Sequence, residues 1–219
     1  MQDYIEVNGI VIKVQPVGEY DKRVTLLTSE RGKISAFARG ARRQGSALMG
    51  VTRIFACGKF RMREGKDSYN LYSAQIDNYF EPLFKDVESS CFGTYLIELA
   101  DYYSREAMSD PKLIKLLYYA LTALTRPSIP HRLTRRIYEL RIMKIDGQYD
   151  AEPAAVGKVG ETTAFTWNFI LNTPLEKLFT FTLKDDVLAE LEECVDRSLK
   201  KYVDKKMNSL EILESIAGK

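Results

Sequence analysis

The first 80 residues carry short apolar runs whose polar and apolar positions partly alternate, which is typical of β-strands. Five such runs, rich in β-branched and aromatic residues, are bounded by Gly, Ser, Asp or Glu: 5–14, 22–28, 33–39, 53–63 and 68–79. Residues 29–32 predict a hairpin turn, whereas residues 40–52 form a longer, basic connection with several glycines. Five strands within about 80 residues predict a small barrel of the OB or SH3-like kind.

The pattern changes to a helical period after Glu81–Pro82, as expected at a domain boundary. Apolar stripes and breaks predict three helices, at 87–108, 111–125 and 131–145. The second helix ends at Arg126–Pro130, because two prolines cannot continue the hydrogen-bond ladder. Cap-like residues predict further helix starts at Thr173, Thr182 and Asn208.

Residues 146–172 lack helical periodicity and contain three glycines, a proline and the only tryptophan, Trp167. They predict an irregular insert. The expected fold is therefore α+β, with a five-stranded barrel over residues 1–80 and an all-α domain over residues 81–219 that carries this insert.

Composition limits the class of protein. No apolar run approaches the roughly 20 residues that span a bilayer, and the start of the chain lacks a signal peptide's basic residues, so we expect a cytoplasmic protein with no membrane partner. Cys57, Cys91 and Cys194 stand far apart and are expected to be buried, and His131 is the only histidine. We therefore expect no metal, no other cofactor and no histidine-based catalysis.

The net charge of +2 hides an uneven distribution. Residues 1–80 hold 13 Lys and Arg against 8 Asp and Glu, and the cations are densest at Arg39–Arg43. A basic patch on a small barrel favours an anionic partner such as nucleic acid. Four aromatic residues are candidates for stacking bases, although core packing is the favoured interpretation of each one alone: Phe55, Phe60, Tyr69 and Tyr72.

Four motifs in the first 53 residues carry a family resemblance: Gly9–Lys13, Gly18–Lys22, Thr25–Thr28 and, above all, Arg31–Arg43. Shorter matches follow at residues 95–99, 135–140 and 208–213. Together they resemble the RecO family of recombination mediators. The resemblance implies an OB-fold that binds single- and double-stranded DNA, followed by a helical domain.

The resemblance also implies an activity and partners. Such a protein anneals complementary strands and helps load recombinase onto strands coated by single-strand-binding protein, at the nucleoid during repair. The implied partners are RecR, the acidic, hydrophobic C-terminal tail of the coating protein, and indirectly the recombinase filament.

Two groups of site residues follow from the resemblance. The DNA-binding group has three members inside the matched motif, Arg39, Arg42 and Arg43, and five neighbours, Lys13, Lys22, Arg23, Lys33 and Arg53. The group for the tail lies on the third helix: Arg135, Arg136 and, more weakly, Arg132. An arginine suits a terminal carboxylate because it donates two parallel hydrogen bonds.

The insert departs from the family pattern. Many RecO proteins hold zinc there with four cysteines, and residues 146–172 contain none. We expect no zinc and an insert held by packing around Phe165, Trp167 and Phe169.

Other functional classes fit the residues less well. Gly40–Ser46 lacks the lysine that a phosphate-binding loop needs, and the early carboxylates are too scattered for a nuclease's metal site. The alternative that stays open is a protein-interaction adaptor whose barrel does not bind nucleic acid. Salt-insensitive association with a protein, without oligonucleotide binding, would distinguish it.

Overall fold

The computed structural model describes residues 4–66, 68–155 and 157–217, and it begins with a closed five-stranded barrel. The strands are β1 (Tyr4–Val17), β2 (Asp21–Thr28), β3 (Gly32–Ala38), β4 (Cys57–Glu64) and β5 (Tyr69–Asn78). Their order around the barrel is β1-β2-β3-β5-β4, with β4 closing onto β1; only the β3–β5 pair is parallel. The predicted OB-fold is confirmed.

Alternation of side chains builds the barrel core. Val24, Leu26, Ile34 and Ala36 point inward from β2 and β3, and Phe60 does so from β4. β1 is long enough to pair with β4 along its first half and with β2 along its second, and its register shifts between Val11 and Lys13. Such a bulge bends a strand, which lets one strand serve both sides of a closed barrel.

A single turn of helix, α1 (Leu48–Val51), lies in the connection between β3 and β4, and six longer helices follow it among the described residues. They are α2 (Val87–Tyr103), α3 (Pro111–Leu124), α4 (His131–Asp146), α5 (Glu161–Asn172), α6 (Asp185–Tyr202) and α7 (Asn208–Ala217). In the described part of the chain no helix is both long and apolar enough to cross a membrane.

The chain divides into two compact units. One holds residues up to Glu81 together with Ser104–Ile114, and the other holds Pro82–Tyr103 and the residues from Lys115 onward. Residues 104–114 thus group with the barrel although they lie beyond the boundary expected at residue 80. Lys33 donates its backbone N–H to the carbonyl of Arg105 at 3.1 Å.

Residues 146–172 are irregular only in part, which corrects the sequence-based expectation. Residues 161–172 form α5, whose buried side chains include Thr163, Trp167 and Ile170. Threonine and aromatic residues have modest helix propensity, so packing of this face stabilises the helix. Phe165 is 71% exposed and does not belong to the core of the insert, in contrast to Trp167.

Two predicted helix starts also need correction. Thr173 is followed only by a short 3-10 turn, Leu175–Lys177, and Thr182 precedes α6 without capping it, because α6 begins at Asp185. Asn208 does begin α7. Lys184 occupies the N-cap position of α6, and Leu188 and Leu191 supply the buried face whose packing stabilises this helix.

Polar contacts centred on Asp150 hold the irregular part of the insert. The Asp150 carboxylate accepts hydrogen bonds from Ser198 at 2.8 Å, Lys201 at 2.5 Å and Tyr202 at 2.9 Å, all on α6. The Trp167 indole N–H donates to the Asp150 carbonyl at 3.2 Å. Burial alone would raise the pKa of Asp150, but these donors hold it below its usual value.

Both ends of α5 are also bound by charged side chains. Glu190 accepts a hydrogen bond from the Gly160 N–H at 3.1 Å and another from the Thr163 hydroxyl. At the other end, Arg141 and Lys144 donate to the Leu171 carbonyl at 2.5 and 2.6 Å. A carboxylate at the N-terminus and cations at the C-terminus match the helix dipole, so these contacts fix α5 in place.

The three cysteines are free thiols, of which Cys194 is buried and Cys57 and Cys91 are half-buried. Burial, with a smaller effect of Asp77, raises the pKa of Cys57 to about 12. Within the described residues, His, Cys, Asp and Glu side chains form no cluster of three that could hold a metal ion.

Candidate nucleic-acid interface

The outer face of β2 and β3 carries a groove of about 450 Å³. Its polar lining, by which we define the β2–β3 groove, comprises three cations, two carboxylates and three hydroxyl groups: Arg23, Arg31, Lys33, Glu30, Glu106, Ser35, Ser68 and Tyr69. On β3, alternation places Lys33 and Ser35 outside, because Ile34 and Ala36 point into the core. In OB-folds the same strands form the face that commonly contacts single-stranded nucleic acid.

Side chains in the β2–β3 groove are held in position. The Arg23 Nε donates to the Ser35 hydroxyl at 2.7 Å, and its guanidinium lies 5.7 Å from the centre of the Phe37 ring. Arg31 donates to the Tyr69 hydroxyl at 3.0 Å. These contacts orient the two guanidinium groups across the sheet surface and leave further N–H donors for a phosphate.

The basic turn at residues 39–43 is tied to the β1–β2 loop. The Gly40 N–H donates to the Asp21 carboxylate at 2.7 Å, and the Arg42 side chain donates to the Gly18 carbonyl at 3.1 Å. The Arg43 guanidinium lies 4.8 Å from the centre of the Tyr20 ring. Arg42, Arg43 and Tyr20 are all exposed, so this turn presents two cations and an aromatic ring together.

Lys22 lies beside this turn. Its ammonium group donates to the Thr52 hydroxyl at 3.1 Å. Burial, followed by repulsion from Arg42, lowers the pKa of Lys22. A phosphate would relieve that repulsion, which makes this corner of the barrel favourable for an anion.

Arg39 contributes to a different groove, of about 420 Å³. We define the tyrosine groove by its members Tyr4, Arg39, Arg63, Glu64, Asn70 and Tyr72. The structure therefore separates Arg39 from Arg42 and Arg43, although all three lie within one sequence motif.

The remaining barrel candidates are dispersed. Lys13 is exposed on β1, opposite Thr25 of β2. Arg53 donates to Glu81 at 2.9 Å. Phe55 and Phe60 are buried in the barrel unit and cannot stack bases, so among the proposed aromatic residues only Tyr69 and Tyr72 reach a groove.

The sequence analysis missed three cationic or aromatic groove residues, Arg31, Tyr4 and Arg63. It also missed Arg61, which lies outside the groove lining and contacts the Tyr4 and Tyr72 rings. A signal was present, because β4 carries Lys59, Arg61 and Arg63 at every second position, which is the outward-facing period of a strand. Such a stripe predicts one cationic face without indicating which neighbouring strand completes it.

The three arginines proposed on α4 have different surroundings. The Arg136 side chain is 6% exposed and donates to Glu139 at 2.9 Å and to Asp196 at 2.6 Å. Arg135 donates to Glu139 at 2.7 Å. Arg132 is exposed and bound to Glu192. Only Arg132 therefore reaches solvent substantially, while Arg135 and Arg136 serve an internal ion network.

A separate groove of about 370 Å³ lies in the helical unit between α2, α6 and α7. Its apolar lining includes Leu99, Leu199, Val203, Met207 and Leu210. Lys200, Lys205 and Lys206 surround this lining together with Glu211, which forms an ion pair with Lys206. An apolar floor with basic edges is complementary to an acidic, hydrophobic peptide.

Comparison with known proteins decides the family. The family model described as "Recombination protein O N terminal" matches residues 1–80, which contain the barrel strands. A DNA repair protein RecO from Acetivibrio thermocellus is 24% identical over 246 residues, covering 98% of both chains. The chain belongs to the RecO family. The RecO proteins of Clostridium perfringens (27% identical, 97% of this chain and 98% of the relative) and Listeria monocytogenes (33% identical, 71% and 60%) are also similar.

Membership places this RecO-family chain in DNA repair and recombination. The full-length matches include the helical unit as well as the barrel, so the whole chain shares the family's architecture.

Proposed function

We propose that this RecO-family chain binds single-stranded DNA on its barrel, anneals complementary strands and helps load recombinase onto strands coated by single-strand-binding protein. The observation that supports binding most directly is the β2–β3 groove, where Arg23, Arg31 and Lys33 lie beside Tyr69. Proteins that bind single strands without sequence preference usually combine cations along the phosphate backbone with aromatic rings that stack on the bases.

The strand is proposed to continue from the β2–β3 groove towards the turn that carries Arg42 and Arg43. In OB-folds, the loop between β1 and β2 borders the binding face, and this turn is hydrogen-bonded to that loop. Lys22 would add charge there, and Lys13, Arg39 and Arg53 are proposed as weaker contacts at the edges. Double-stranded DNA would use the same cations without stacking.

The helical unit is proposed to receive the acidic, hydrophobic tail of single-strand-binding protein, with RecR as a second partner of the chain. The groove between α2, α6 and α7 supports this proposal, because Leu199 and Val203 offer an apolar floor and Lys200 and Lys205 offer charge. Arg132 remains an accessible candidate on α4. The internal pairing of Arg135 and Arg136 argues for an indirect role of these two residues.

Fluorescence anisotropy with a labelled single-stranded oligonucleotide tests the DNA site. Arg23→Ala/Lys33→Ala should weaken binding and reduce the slope of log K against log salt by about 1.4, since each lost phosphate contact contributes about 0.7 for single strands. Lys158→Ala/Lys177→Ala is a charge-matched control, because both lysines are exposed in the helical unit. It should leave the slope unchanged.

Two results would contradict the proposal. An equal change of slope in the control would show that net charge rather than the groove determines binding. No oligonucleotide binding by the wild-type chain, together with salt-insensitive binding to a protein, would favour the adaptor alternative.

A further inference from the structure

Apart from Arg39 at its edge, the tyrosine groove is not used by the strand path proposed above. It is built on the starts of β1 and β5, the end of β4 and the residue after β3, and it shares no lining residue with the β2–β3 groove. Tyr72 is 60% exposed, the largest exposure among the aromatic side chains of the described barrel strands. A ring this open is accessible for stacking on a planar group of a ligand.

Arg61 shows that this surface is preorganised. Its guanidinium carbon lies 4.5 Å from the centre of the Tyr4 ring and 5.8 Å from the centre of the Tyr72 ring, and the two rings are 5.0 Å apart. Arg61 is also directly opposite Glu6 in the β1–β4 pair. No salt bridge joins them, so within the described residues the guanidinium lies on the rings rather than against a carboxylate.

The charges around the rings favour a polyanion. Arg39 and Arg63 are exposed on either side of Asn70 in the groove, and neither forms an ion pair within the described part of the chain. Glu64 is the carboxylate of the groove, and it faces Arg31 at 3.9 Å. Three arginines without a carboxylate partner among the described residues, beside two tyrosine rings tilted by 54°, match the chemistry of a single nucleic-acid strand, whose bases stack on aromatic rings and whose phosphates pair with guanidinium groups.

We propose that the tyrosine groove is a seat for a second single strand, with a base stacked on Tyr72 and phosphates bound by Arg61, Arg63 and Arg39. This inference rests on the proposed function, in which the first strand occupies the β2–β3 groove. Two strands on one barrel would meet at a high effective concentration, and the intervening cations would offset the repulsion between their phosphates. The barrel would then promote annealing by positioning both reactants.

Native mass spectrometry with an oligothymidine of about eight nucleotides, within the range of sites on OB-folds, tests the number of seats. The wild-type chain should bind two oligonucleotides and Arg61→Ala/Tyr72→Ala only one. Loss of one stacked base should weaken the second binding step by about 5- to 150-fold. Annealing of complementary strands should slow, whereas the dissociation constant of the first oligonucleotide should stay unchanged.

Two variants separate stacking from general charge. Lys59→Ala removes the same charge from the same strand as Arg61→Ala, but it leaves the contacts of Arg61 with the Tyr4 and Tyr72 rings intact. Tyr72→Phe keeps the ring. Both should bind two oligonucleotides and anneal at the wild-type rate.

The possible failures are distinguishable. A wild-type chain that binds one oligonucleotide, or an Arg61→Ala/Tyr72→Ala chain that still binds two, would overturn the second seat and leave the first intact. If Arg61→Ala/Tyr72→Ala still bound two oligonucleotides but lost binding to a purified protein partner, the tyrosine groove would be assigned to that protein instead. A wild-type chain that binds none would overturn the proposed function itself.

Discussion

The buried carboxylate of Glu139 offers the sharpest test of what holds the helical unit together. Its side chain is completely buried on α4, and its oxygens accept hydrogen bonds from Tyr95 at 2.6 Å, Arg135 at 2.7 Å and Arg136 at 2.9 Å. Tyr95 belongs to α2, and Arg136 continues to Asp196 on α6. One carboxylate therefore connects three helices.

Glu139→Gln changes the charge with little change of shape. The amide can accept through one oxygen only, and its NH₂ group would face a donor on Arg135, Arg136 or Tyr95. Asp196 would still partly neutralise the charge of Arg136. Arg135 would lose the carboxylate oxygen that accepts the hydrogen bond from its Nε. Breaking a buried pair from one side typically costs about 3–5 kcal/mol, and we expect a loss of free energy of unfolding in this range.

Urea unfolding followed by Trp167 fluorescence measures the free energy of unfolding of the helical unit, which also contains Glu139. Trp167 is suitable because it is the only tryptophan and is fully buried in α5. Glu193→Gln is the matched control. Its side chain is 74% exposed and lies 3.8 Å from Arg197, so the change should cost less than about 1 kcal/mol. A loss below about 1 kcal/mol for Glu139→Gln would refute the view that this network stabilises the unit.

The same carboxylate should make stability depend on pH. Burial would raise the pKa of Glu139, but attraction by Arg136 and Arg135 holds it below its usual value. A lowered pKa in the folded state stabilises the protein fully above the unfolded value of about 4.3. The difference in free energy of unfolding between wild type and Glu139→Gln should therefore be largest at neutral pH and shrink as the pH falls below that value.

Two further changes test local structure by urea unfolding. Gly32→Ala should destabilise the barrel unit by more than about 1 kcal/mol, since Gly32 has a φ of +61° and a Cβ there would lie 2.2 Å from the Met108 carbonyl oxygen. Gly18→Ala, with a φ of +54° and open space around it, should cost less; equal losses would exclude the steric explanation. Asp150→Ala should cost about 1–3 kcal/mol, because Ser198 and Tyr202 lose their acceptor. Glu152→Ala, at an exposed position near Asp150, should leave the free energy of unfolding nearly unchanged. An equally small change for Asp150→Ala would refute the role of Asp150 in anchoring the insert.

The spacing of apolar residues was sufficient to predict an element where one period dominates the segment, two residues for a strand or 3.6 for a helix. Alternation predicted all five strands, and helical stripes predicted α2, α3 and α4 to within a few residues at their ends, except that α2 stops at Tyr103 rather than near residue 108. Pattern failed at α5, where threonine and aromatic residues hide the helical period and burial of Trp167 supplies the stabilisation. It also overestimated two capping sequences, because Thr173 precedes only a 3-10 turn and Lys184, not Thr182, occupies the N-cap position of α6.

The sequence by itself indicated the family, through the resemblance of its motifs. It also predicted the order of barrel and helices and a basic surface on the barrel, because these depend on composition and on short-range periodicity. Only the tertiary structure decided which cations act together. Barrel closure brings Arg31 beside Tyr69 and Arg61 between Tyr4 and Tyr72, and it separates Arg39 from Arg42. Helix packing likewise turned Arg136 inward to Glu139. Such groupings depend on strand register and helix rotation, which long-range contacts set and local sequence does not encode.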